Sequence, residues 1–291
     1  MNSFLLPTTL LVTATLVIIV YAISKIKAVR AQQGSEVTHG FLLAKNLQKL
    51  IMLIQQHRGL SNAVYQGNQK LKGQQLSVQS DINMLVQDAE LQVFSQFEQW
   101  HSFTDHWPRL KQYLTDNSLD STKILRQHAL MVDGLLSLLD DMAQKYELHL
   151  LIIDGSIRVS DLLSDILRTT EVIAQTRGVG SGLCAAGQCI GSDFIQLKFL
   201  KTNIEKETQH LVTEINSINN PDLNGYLDGI TLNNNVTALA KSIEENILNT
   251  KQIKLEAENF FRMATKPIDE LAQLFEQIIL YSSKEFIQDR K

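Results

Sequence analysis

The chain is poor in the residues that break, staple or disorder a fold. Four prolines in 291 residues leave long stretches free to run as helix, with none between Pro108 and Pro221. Two cysteines, Cys184 and Cys189, are too few for a disulfide framework and wrongly spaced for a zinc site, so they read as small thiols in a packed helix. Neither sign of charge dominates: 27 basic against 31 acidic side chains give a formal charge of −4, which offers no electrostatic footprint for nucleic acid. The seven histidines contain no His-Glu-x-x-His pattern, and His101 and His106 do not share a helical face. In Gly178-Val179-Gly180-Ser181-Gly182 the serine comes one place late for a nucleophile elbow, and Leu183 stands where a dinucleotide loop needs its last glycine. No metal, cofactor or catalytic constellation is therefore expected, and the chain reads as a protein without enzymatic activity. With 44% hydrophobic residues it can still bury a sizeable interior.

What is present begins with residues 4–23, FLLPTTLLVTATLVIIVYAI, where no charge appears before Lys25. Twenty such residues at about 1.5 Å each reach about 30 Å, the thickness of a bilayer core, and predict a transmembrane helix. The absence of a basic segment ahead of it sets this reading above a cleaved signal peptide. Lys25, Lys27 and Arg30 flank its C-terminal end and, by the positive-inside rule, predict a single-pass protein of the inner (cytoplasmic) membrane with its main domain on the cytoplasmic side. Residues 1–30 are thus expected to form an anchor with a basic juxtamembrane segment, and residues 31–291 a soluble domain.

That domain reads as helix nearly throughout. Apolar residues recur at three and four, as in Leu135, Leu138, Met142, Tyr146, Leu150, Ile153 and Ile157, and the stripe carries residues 147–153 as helix rather than strand. Breaks are expected at residues 67–73, at Trp107-Pro108, at residues 115–121 and 187–191, around Asn219-Asn220-Pro221 and at Lys266-Pro267. The aromatic cluster Trp100, Phe103 and Trp107 reads as helix packing.

An internal repeat divides the domain. Gln56-His57-Arg58-Gly59-Leu60-Ser61 is echoed by Gln175-Thr176-Arg177-Gly178-Val179-Gly180-Ser181, each after an apolar helical run and before a loop and a new helix. Two related bundles explain both copies. The predicted fold is all-α: an N-terminal transmembrane helix followed by two packed four-helix bundles, the first over about 36–150 and the second over about 151–291, with helix exchange between them allowed.

Both arginines lie on core-facing stripes: Leu47, Ile51, Ile54, Arg58, Ser61 and Tyr65 in the first copy, Ile166, Thr170, Ile173, Arg177, Gly180 or Ser181 and Cys184 in the second. A guanidinium there cannot shed its charge and needs a partner. One candidate is an internal carboxylate, with Asp133, Asp140, Asp154, Asp161, Asp165 and Glu171 available. The other is a small planar oxyanion, which the parallel donors of the guanidinium fit bidentately.

The segment Gln56-His57-Arg58-Gly59-Leu60-Ser61 resembles the leading motif of the nitrate- and nitrite-sensing (NIT) domain, with His57 where that family commonly has glutamate. Gln175-Thr176-Arg177-Gly178 with Gly180-Ser181-Gly182 is similar to the family's second arginine element. The resemblance implies an anion, nitrate or nitrite, held between two four-helix bundles by Arg58 and Arg177, with Gly59, Ser61, Gly178 and Ser181 forming the pocket. With the predicted anchor, the expected function is a membrane-anchored sensory module that signals by bundle reorientation to a protein partner or a second copy of itself. The alternative is a membrane-tethered helical scaffold for protein–protein interaction, with both arginines in structural salt bridges.

Overall fold

The computed structural model describes residues 5–288 other than 117, 221–222 and 224–228, without the side chains of residues 5–17, 28–31, 33 and 287–288. Helix α1, Leu5–Tyr65, runs for 61 residues. The expected span over residues 4–23 lies mostly on residues whose side chains are not described. Among the described residues no helix is long and apolar enough to cross a membrane. Residues 5–23 instead lead one helix that continues through polar residues to Val37, Phe41 and Leu47 in the core, with no break where anchor and domain were expected to part. The expected transmembrane anchor, the single-pass inner-membrane location with its cytoplasmic domain and the membrane as a partner are thus not supported among the described residues.

The chain then folds through α2 (Lys72–Val86), α3 (Glu98–Thr115), α4 (Ser121–Lys145), α5 (Val159–Ala186), α6 (Ser192–Ser217), α7 (Gly229–Ile243) and α8 (Ala257–Gln288). Helix α1 packs on α2 and α4, and α4 on α3; α5 packs on α6 and α8, and α7 on both α6 and α8. The two sets meet where α1 and α4 touch α5 and where α1 touches α8. Their apolar side chains form one continuous cluster from Val37 to Ile279.

Several helix ends lie where turn chemistry placed them. Gly67, after α1, takes φ 103°, a left-handed value a side chain would resist. The Asp120 carboxylate caps α4, accepting from the Lys123 N–H at 2.8 Å. Helix α5 stops at Gly187, with φ 71° and its N–H donating to the Leu183 carbonyl at 3.0 Å.

Three expectations fail. Pro108 and Pro267 lie inside α3 and α8 rather than breaking them. A proline there costs one helical hydrogen bond, and burial of Trp100, Phe103, Trp107 and Leu110 along α3 holds that helix together regardless. The stripe from Leu135 ends at Tyr146. Glu147 turns left-handed at φ 60°, Leu150 faces solvent, and two short antiparallel strands follow, β1 (Ile152–Asp154) and β2 (Ile157–Arg158), joined through Gly155. The glycine supplies the turn, and β-branched Ile152, Ile153 and Ile157 suit extended backbone better than helix.

Candidate functional site

The apolar stripe of α1 passes through Leu47, Ile51 and Ile54 and arrives at Arg58, which is 1% exposed. Its guanidinium donates to both oxygens of Glu171 on α5, Nη1 to Oε1 at 2.6 Å and Nη2 to Oε2 at 3.2 Å. Gln55 donates to the same carboxylate at 2.9 Å and Gln175 at 2.7 Å. Glu171 thus accepts four charge-assisted or amide hydrogen bonds in a dry setting. That network satisfies most of what a buried ion pair needs to be tolerated.

Next to Arg58, His57 meets His128 of α4 with Nδ1 and Nε2 2.9 Å apart. His128 Nδ1 lies 2.7 Å from the Ile124 carbonyl, which can only accept, so this nitrogen carries the proton and Nε2 accepts from His57. Burial, with Lys72 adding to it, pulls the His57 pKa down to about 3, and burial lowers that of His128 as well. Both rings are neutral. Ser61, one turn on, accepts from Gln75 at 2.8 Å and lines a cavity of about 580 Å³ among α1–α4 with Lys72 and Tyr113.

Arg177, on the stripe of α5, has a different environment. It is 8% exposed, its Nη1 donates to the Thr265 hydroxyl of α8 at 3.1 Å, and its guanidinium carbon stacks 4.7 Å from the Phe261 ring centre. Among the described residues no carboxylate forms an ion pair with it. Burial first, and then the like charge of Arg58, pull its pKa down to about 10, so it remains cationic at neutral pH. Arg177 borders a cavity of about 660 Å³ between α1 and α8, with Gln48, Gln55, Lys45, Lys49 and Asp269 on its walls. Gln48 of α1 bridges over to the Ala272 carbonyl of α8 at 3.3 Å, tying the two walls together.

The expected arginine clamp is therefore corrected. Arg58 and Arg177 do not form an open pair awaiting one anion: the fork of Arg58 is taken by Glu171, and Arg177 is held by Thr265 and Phe261. Gly59 and Gly178 border neither cavity, and Ser61 and Arg177 line different ones. Among the described residues Ser181 Oγ is buried without a hydrogen-bond partner, and it borders neither. Gly180 sits where an added Cβ would lie 2.3 Å from the Phe260 ring, so its role is to let α8 approach α5. Sequence reasoning missed Gln48, Gln55, Phe261, Thr265 and Asp269. Of these only Gln55, beside the motif, had a nearby signal.

A family model for nitrate and nitrite sensing matches residues 49–279 of this chain, spanning both arginine elements with Gln55, Glu171, Phe261 and Thr265. The chain belongs to the NIT family. NIT domains are non-catalytic signalling modules, and this one is not an enzyme. Its fold is shared with the structure of the NasR transcription antiterminator at a TM-score of 0.60 and 15% identity, over 93% of this chain and 74% of that one. No curated protein matches the sequence.

Proposed function

We propose that this NIT chain is a nitrate- and nitrite-sensing signalling module that takes its anion at Arg177 in the cavity between α1 and α8. One observation carries the reading: a guanidinium more than nine-tenths buried, with no carboxylate ion-paired to it among the described residues, at the edge of a polar cavity. Asp269 and Glu171 offset its charge only through space, and a planar monovalent oxyanion supplies parallel hydrogen bonds to its remaining donors. The walls come from α1 and α8 while Arg177 comes from α5, so an anion bound there draws three helices together. The two sets of helices, proposed as bundles over residues 36–150 and 151–291, then change their relative position, and a protein partner or a second copy reads the change.

Thermal unfolding of the chain in nitrate, nitrite, chloride and sulfate at fixed ionic strength tests this. A saturable rise in Tm with nitrate or nitrite, absent with chloride and lost in Arg177→Ala, is expected, because a ligand stabilises by RT ln(1 + [L]/Kd). No selective rise would leave a scaffold without anion sensing as the better account.

A further inference from the structure

Glu171 has a property that the sensing reading does not use. It is a buried carboxylate placed just behind the wall of the Arg177 cavity, and Gln55, which lines that cavity, also donates to it at 2.9 Å. Its charge cancels that of Arg58 within one tightly bonded pair. Both members act on Arg177 through space, Arg58 as a like charge and Glu171 as an opposite one. Around the cavity itself the cations Lys45, Lys49 and Arg177 stand against the anions Asp269 and Glu276. With Arg58 neutralised, the site as a whole carries a single surplus positive charge.

We propose that Glu171 determines the anion selectivity of this site: by neutralising Arg58 it holds the surplus at one positive charge, which one monovalent oxyanion balances and a dianion overshoots. The proposal rests on the reading that anions bind at Arg177. Glu171 does not touch the anion. It acts through the field at Arg177, so its effect is on which charge is accepted rather than on how the oxyanion is hydrogen-bonded. A dianion interacts with each unit of site charge twice as strongly as a monoanion does, so the Arg58–Glu171 balance sets the ratio of their affinities.

The test is isothermal titration of the full chain with sodium nitrate, sodium nitrite and sodium sulfate at constant ionic strength, for the wild type, Glu171→Gln and the double variant Arg58→Met/Glu171→Leu. Glu171→Gln removes the negative charge and keeps an accepting oxygen, and should shift the sulfate-to-nitrate affinity ratio toward sulfate by about tenfold or more. The double variant removes both charges and leaves the surplus unchanged, so its ratio should stay within about threefold of wild type. An unchanged ratio in Glu171→Gln overturns the proposal, as does a changed ratio in the double variant, which stays decisive if the single variant does not fold. A wild-type chain that binds neither nitrate nor nitrite removes the sensing reading itself, an outcome separate from a binding wild type with an unmoved ratio.

Discussion

Arg58 and Arg177 sit in matching Gln-x-Arg-Gly settings, yet their surroundings predict opposite consequences of removing them. Arg58→Met leaves Glu171 charged and buried with only amide partners, and should cost about 3–5 kcal/mol of stability, measured by urea unfolding, with or without nitrate. Arg177→Met deletes a cation that, among the described residues, no carboxylate ion-pairs, so it should cost much less and abolish the nitrate-dependent rise in Tm. Equal stability losses in the two variants would contradict this assignment. A second residue-scale prediction comes from His57 and His128. Their folded-state pKa values lie below the ordinary value, so unfolded chains bind protons that the native state refuses. Stability is then full above about pH 6.5 and falls below it, by up to about 1.4 kcal/mol per pH unit for each ring. Unfolding at pH 7.5, 6.0 and 5.0 should show this loss, and His57→Gln should flatten it. The stripe pattern showed that both arginines were buried, and Glu171 was one of six carboxylates available to them. Periodicity could not choose among the six, because the partner lies 113 residues away and only the crossing of α1 and α5 selects it.

Between elements, the glycines of the second arginine motif separate packing from propensity. At Gly178 an added Cβ meets only Leu125, at an ordinary 3.6 Å, and alanine is the better helix former by about 1 kcal/mol, so Gly178→Ala should be neutral or stabilising. At Gly180 the same methyl would lie 2.3 Å from the Phe260 ring, and Gly180→Ala should cost about 1–3 kcal/mol and weaken the nitrate response by pushing α8 off α5. Thermal unfolding of the pair checks both, and a stable Gly180→Ala with a full nitrate response would remove the close-packing argument. The glycine and asparagine breaks were legible because their chemistry is local. Pro108 and Pro267 misled because a helix end is decided by what the flanking residues bury as well as by one missing N–H. The hairpin of β1 and β2 was hidden by a stripe that continues in spacing past Tyr146 while the backbone reverses at Glu147.

Across the whole molecule, α1 is the element that commits the two sets of helices to each other. It packs on α2 and α4 within its own set, reaches α5 through the Arg58–Glu171 pair, and lies along α8 beside the cavity. The apolar interior crosses this junction without interruption, so neither set can leave the other without exposing core side chains. Calorimetry should therefore record a single unfolding transition rather than two. An anion seated at the junction stabilises both sets together, so nitrate at about a hundred times its Kd should move that one transition up as a unit by the equivalent of about 2.7 kcal/mol. Arg177→Ala should keep the single transition and lose the shift, because it removes the anion's seat and leaves the apolar junction in place. Two transitions, with nitrate raising only one, would place the site inside one set and undo the link between binding and the relative position of the two.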